Sequence, residues 1–154
     1  MMSEMVGGFA DVRIIAGTAK GIRLKTPKGM NTRPTADRVK ESVFGILAAD
    51  VVDAEVLDLF AGTGNLGLEA LSRGAASATL VDKNIQSVKI MMENAILTDL
   101  SRAAVICREE VLAALRRLQA AGKSFDLIIC DPPYKQGLAP KVIASLDESE
   151  LLRE

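Results

Sequence analysis

Apolar residues follow two alternating rhythms along this chain. Mostly apolar runs at residues 56–59, 78–81, 103–107 and 125–130 have the length and composition of buried strands. Between them the apolar positions recur every three or four residues. Ile85, Val88, Met92 and Ala95 line a helix expected over 85–97, and Val111, Leu112, Leu115 and Leu118 line one over 110–121 that Gly122 stops. Upstream, Val39, Val43, Ile46 and Leu47 predict the buried face of another helix, with Thr35 as N-cap and with Arg38 and Lys40 off that stripe. Residues 12–16 and 22–25 read as a hairpin around Gly17-Thr18-Ala19-Lys20-Gly21, its loop turned to solvent. A last helix is expected near 138–146.

Strands separated by helices require parallel pairing through right-handed crossovers. The expected fold is therefore a Rossmann-like α/β domain: a mainly parallel sheet with helices on both faces, plus an N-terminal β-hairpin. Residues 1–11 read as a flexible leader, 12–30 as a basic hairpin and loop, and 31–154 as the catalytic domain. Ligands of such sheets bind at the carboxyl ends of the strands. Asp58, Asp82, Glu110 and Asp131 each follow an apolar run, so all four are expected at one edge.

The chain has 154 residues, of which 49% are hydrophobic, enough for a core of its own. It contains neither a long apolar run nor a basic-then-apolar leader, so no membrane partner is expected and the cytoplasm is the default location. Cys107 and Cys130 lie apart in apolar runs and read as small core residues, as do Met91 and Met92, so no disulfide and no metal are expected. Histidine is absent, which removes Ser-His-Asp and Cys-His schemes. Between Arg13 and Lys40 eight basic residues and one acid give +7, leaving −8 on the rest of a chain whose net charge is −1. A basic segment on an acidic protein suggests contact with a phosphate backbone.

The chemistry concentrates in two places. Residues 56–64 read as a strand running into a glycine turn, with Gly62-x-Gly64-x-x-Gly67 and then Asp82 twenty positions after Gly62. Glycines let a ligand approach the backbone, and the following helix offers unpaired N–H groups. Nucleotide cofactors of several kinds use this device. Asp58 beside the turn would repel a pyrophosphate and suits an ammonium or sulfonium ligand, of which S-adenosylmethionine is one. The second place is Asp131-Pro132-Pro133-Tyr134, where two prolines fix an acid, carbonyls and an aromatic ring at a strand end. The Asp131 carboxylate and the Pro132 carbonyl suit the two hydrogens of an exocyclic amine as its nitrogen attacks a methyl group, while Tyr134 stacks on the base.

These residues together resemble the RsmD-type S-adenosylmethionine-dependent methyltransferases, which methylate the exocyclic N2 amine of a guanine in bacterial small-subunit (16S) rRNA. The likeness runs through Arg13-Ile14-Ile15-Ala16-Gly17, Thr32-Arg33-Pro34-Thr35 and Arg38-Val39-Lys40-Glu41-Ser42. It continues through Asp58-Leu59-Phe60-Ala61-Gly62-Thr63-Gly64 and Val81-Asp82-Lys83-Asn84 to Asp131-Pro132-Pro133-Tyr134. It implies that Asp58, Phe60, Gly62 and Gly64 hold the methionine part of the cofactor, Asp82 and Lys83 the ribose region, and Glu110 the adenine amine. It also implies that Arg33 and Thr35 fold over the cofactor and that Arg13, Lys20, Arg23, Lys25 and Arg38 meet rRNA, within a ribosomal particle or assembly intermediate. Glu110 follows Glu109 where family members commonly have Asp. The family's seven-stranded sheet continues past the expected last helix, so three strands are expected to be missing and the fourth to have an uncovered edge. Other readings are a DNA or RNA adenine methyltransferase, a catalytically silent RNA-binding factor, and a nicotinamide-dependent dehydrogenase using the same turn.

Overall fold

A computed structural model of the chain describes residues 12–27, 36–132 and 138–153. The leader, Lys28, Arg33, Thr35, Pro133 and Tyr134 lie outside the described residues. Among the described residues four strands, β1 (Glu55–Leu59), β2 (Ser77–Asp82), β3 (Ala104–Arg108) and β4 (Leu127–Cys130), form one sheet in the order β3-β2-β1-β4. Every pairing is parallel, with Leu59 opposite both Val81 and Cys130. Helices α1 (Ala36–Leu47), α2 (Asn65–Ser72), α3 (Ile85–Leu97), α4 (Val111–Ala120) and α5 (Leu138–Asp147) connect and cover it. The expected Rossmann-like architecture is therefore present, with strand ends shifted by a few residues.

Side chains alternate between faces along a strand, and two cores result. Val56, Ala78 and Leu80 pack with the hairpin, α1, α2 and α3. Leu57, Leu59 and Val81 pack with Val111, Ala114, Leu115 and Leu118 of α4 and Val142 of α5. Cys107 and Cys130 are partly buried against that second core. Asn84 caps α3 by accepting the Ser87 N–H at 3.0 Å. Among the described residues, no helix is long and apolar enough to cross a membrane.

Two expectations are corrected and a third is refined. The stripe on α1 is reversed: Val39 and Ile46 are 57% and 83% exposed and Val43 is also exposed, whereas Lys40 and Phe44 are each 1% exposed. Leu47 is half-buried at the edge of the core. Periodicity counts apolar residues and misses a buried ion pair; here the helix turns to bring the Lys40 amine to Glu69 of α2, 3.1 Å away. In α3, Val88, Met91, Asn94 and Ala95 are buried while Ile85 and Met92 are exposed, because a buried asparagine shifts the inward face. The hairpin forms through an Arg13–Arg23 bridge and its loop is exposed at Gly17, Thr18, Lys20 and Gly21, but one side of the loop docks on α2. Thr18 N–H donates to the Ser72 carbonyl, Ala19 N–H donates to Ser72 Oγ, and Ala19 is buried.

At the chain's other end, Leu152 pairs in parallel with Phe125, and Arg153 N–H donates to the Phe125 carbonyl at 2.8 Å. The segment just ahead of β4 therefore has a neighbour that the sequence reading left out. Leu151 is buried in the second core beside Phe125.

Candidate functional site

The turn after β1 departs from ordinary backbone at three residues. Phe60, Gly62 and Gly64 all have positive φ, 57°, 60° and 91°. Only glycine adopts this region without steric cost. A Cβ on Gly62 would meet nothing within 4 Å, so that side of the turn is open. Gly67 serves packing instead: its Cβ would lie 2.5 Å from Leu80 Cδ2, so α2 sits tightly on β2.

Two acids hold this turn in shape. Asp82, at the end of β2, accepts the Gly62 N–H at 2.9 Å through Oδ2 and the Asn84 N–H at 2.9 Å through Oδ1. Asp58 is buried and accepts the Gly67 N–H at 2.9 Å. Burial pushes the Asp58 carboxyl up to about 7, opposed by the Gly67 N–H and reinforced by the charges of Asp131 and Asp82. The pairing of Leu59 with Cys130 brings Asp131, one residue past β4, to the same edge as Phe60. Asp131 is exposed and Pro132 half-buried.

Glu109 and Glu110 separate clearly. Glu109 accepts Arg117 Nε at 3.0 Å, and its N–H donates to the Asp82 carbonyl. Glu110 is exposed at the N-cap of α4 with no capping hydrogen bond from its side chain. Lys83 is exposed just past β2. Asp58, Phe60, Gly62, Gly64, Asp82, Lys83, Glu110 and Asp131 thus gather at the carboxyl ends of the strands.

Arg13, Lys20, Arg23 and Lys25 are exposed on the hairpin and Arg38 on α1. Arg13 pairs with Asp37 at 3.6 Å and Lys25 with Glu93 at 3.1 Å, both on the surface.

Sequence reasoning missed the polar residues that join hairpin to turn. Asn65, Glu69 and Ser72 recur at i, i+4 and i+7 along α2, and that stripe was the available signal. Lys40 Nζ donates to the Arg13 carbonyl at 2.6 Å and to Asn65 Oδ1 at 2.7 Å, beside its pair with Glu69. Burial holds the Lys40 amine below its ordinary value against the pull of Glu69. Glu69 also accepts the Ile15 and Ala16 N–H groups and Arg73 Nε. Asn94 was read as neither a core nor a site residue.

Residues 12–154 match the family model described as conserved hypothetical protein 95. The Ribosomal RNA small subunit methyltransferase D of Escherichia coli strain K12 is 37% identical over 147 residues, which are 96% of this chain and 72% of that protein. The chain belongs to the ribosomal RNA small subunit methyltransferase D family. A Haemophilus influenzae protein of the same name is 35% identical over 153 residues, covering 93% of this chain and 74% of its own. Among solved structures, a hypothetical protein of Thermus thermophilus has a TM-score of 0.82 at 34% identity, covering 92% of this chain and 80% of that one. SMU.776, solved as a complex with SAH, has a TM-score of 0.70 at 20% identity over 85% of this chain and 36% of its own, which is a likeness of fold. Membership in the methyltransferase D family bears out the resemblance read from the glycine turn, the basic segment and Asp131-Pro132-Pro133-Tyr134.

Proposed function

We propose that this protein transfers a methyl group from S-adenosylmethionine to the exocyclic N2 amine of a guanine in small-subunit rRNA. The observation that carries the reading is the meeting of two motifs far apart in sequence. The open glycine turn after β1 and the acid after β4 share one sheet edge through the Leu59–Cys130 pairing. Relatives named as small-subunit rRNA methyltransferases support the substrate class.

The residues fit the cofactor. Gly62 has space where a side chain would otherwise block the backbone, and Asp58 is a buried acid suited to a cationic group. Asp82, already facing the turn, has lone pairs remaining for ribose hydroxyls, and the exposed Glu110 can accept from an adenine amine. When bound, S-adenosylmethionine supplies an electrophilic methyl group. The protein's part is to orient the amine and disperse the charge that develops on it. Asp131 and the Pro132 carbonyl accept the amine hydrogens, and the Tyr134 ring stacks on the base for about 1–3 kcal/mol. In this division of labour residues 12–30 read RNA through Lys20, Arg23 and their neighbours, Arg33 and Thr35 close over the cofactor, and residues 31–154 perform the transfer.

The deciding experiment is transfer of labelled methyl to small ribosomal subunits from cells lacking the protein, followed by nucleoside analysis. The expected product is N2-methylguanosine at one site. An Asp131→Ala protein should bind cofactor and RNA yet lose turnover. Methylated adenine instead of guanine would move the assignment to another base amine, and RNA affinity with no transfer at all would make the protein a silent RNA-binding factor.

A further inference from the structure

Two buried side-chain hubs connect the basic hairpin to the glycine turn and to the helix that follows it. The first is Lys40, which holds the Arg13 carbonyl on the hairpin and Asn65 Oδ1 at the start of α2, one residue past Gly64. The second is Asn94 on α3, buried completely. Its Oδ1 accepts the Lys25 N–H at 2.7 Å, and its Nδ2 donates both to the Lys25 carbonyl at 3.1 Å and to the Thr63 carbonyl at 2.9 Å. Thr63 is the residue between Gly62 and Gly64.

Both hubs therefore grip the backbone of a hairpin residue whose charged side chain is exposed; at the other end Asn94 grips the turn and Lys40 grips the first residue of the helix that leaves it. Burying polar and charged groups for this purpose is expensive, and an apolar interface of similar shape would serve stability at least as well. What the polar groups add is directional: a shift of Arg13 or Lys25 breaks geometry at Asn65 or Thr63, and the reverse.

We propose that Asn94 and Lys40 are positioning residues that couple RNA engagement at the hairpin to cofactor binding at the turn, each event favouring the other. This rests on the reading of the turn as a cofactor site and of the hairpin as an RNA contact. Coupling between sites is reciprocal in free energy, so it is measurable from either side.

The test measures the affinity of the unmodified protein for small ribosomal subunits with and without saturating S-adenosylhomocysteine. Binding is expected to tighten by about fivefold or more with that ligand present. In Asn94→Ala and in Lys40→Met the ratio should fall toward one. A ratio of one in the unmodified protein, or an undiminished ratio in both variants, overturns the proposal while leaving the enzyme assignment intact. Absence of S-adenosylhomocysteine binding overturns the cofactor reading and this inference with it. Hydrogen exchange on the unmodified protein decides the matter if neither variant folds. The Lys25, Ile15 and Ala16 amides should exchange about fivefold more slowly once the ligand is bound, and unchanged exchange with ligand demonstrably bound would sink the coupling.

Discussion

Asp82 Oδ2 accepts the Gly62 N–H at 2.9 Å, so the last residue of one strand shapes the turn that follows its neighbour. The twenty-residue spacing between them is thus a contact in the folded protein as well as a motif in sequence. Asp82→Ala removes acceptors from both Gly62 and Asn84 and should cost about 1–3 kcal/mol of stability. Asp82→Asn keeps one acceptor oxygen and should lose less. Loss of charge-assisted bonds to ribose should weaken S-adenosylhomocysteine binding tenfold or more in both. Calorimetric titration beside thermal unfolding separates the two effects, and undiminished affinity in Asp82→Ala would remove this residue from the cofactor site.

Asp58 yields a pH dependence with opposite signs for stability and binding. Its carboxyl is raised from the ordinary 3.8 to about 7 by burial, so between those values the folded state holds a proton that the unfolded state has released. Stability should therefore fall as pH rises through this window and level off above it. Asp58→Asn keeps an oxygen for the Gly67 N–H and has no charge to bury. It should be stabilised relative to the unmodified protein at pH 8, by at most about 4 kcal/mol, and not at pH 4. Affinity for S-adenosylmethionine should behave oppositely, weakening by about tenfold per unit below pH 7 in the unmodified protein and staying weak at all pH in the variant. Denaturant titrations and cofactor titrations at pH 4 to 8 provide the comparison.

Gly17 and Gly21 form a matched pair for the hairpin's docking. Both have positive φ, 90° and 86°, so alanine strains each by about 1–2 kcal/mol. At Gly21 nothing lies within 4 Å of the added Cβ, whereas at Gly17 it would overlap the Ser72 carbonyl oxygen. Gly17→Ala should push the loop off α2, breaking the Thr18, Ala19 and Ala16 bonds to Ser72 for about a further 2–4 kcal/mol. Equal losses in the two variants by urea unfolding would contradict the docked loop.

Lys40 and Glu69 are both buried, and Glu69 also pairs with Arg73, so removing the lysine leaves a buried carboxylate with one cation in place of two. Lys40→Met should destabilise the protein, by less than the roughly 3–5 kcal/mol of a fully unpaired buried charge because Arg73 remains. Adding Glu69→Gln should restore part of that loss, because no buried carboxylate is then left short of a cation. A double-mutant cycle on unfolding free energies measures the coupling, and strict additivity would mean that the pair contributes nothing beyond its separate parts.

Much of this protein was readable from local pattern. Apolar runs of strand length separated by helical spacing specify a parallel α/β sheet, since covalent connectivity and handedness permit few other arrangements. The helix over residues 85–97 was expected with the bounds observed for α3. The glycine turn and the acid-proline-proline-tyrosine segment are also local, because backbone freedom and its restriction are written in residue type. Tertiary structure alone decided which face of α1 is buried, that Asn94 belongs inside, and that the hairpin loop docks on Ser72. In each case the deciding interaction joins polar groups distant in sequence: Lys40 and Glu69 are 29 positions apart, and Lys25 and Asn94 are 69 apart. Hydrophobic periodicity scores a lysine or asparagine as outward-facing. A buried polar residue becomes favourable only when its partners arrive from other elements, and folding supplies those partners.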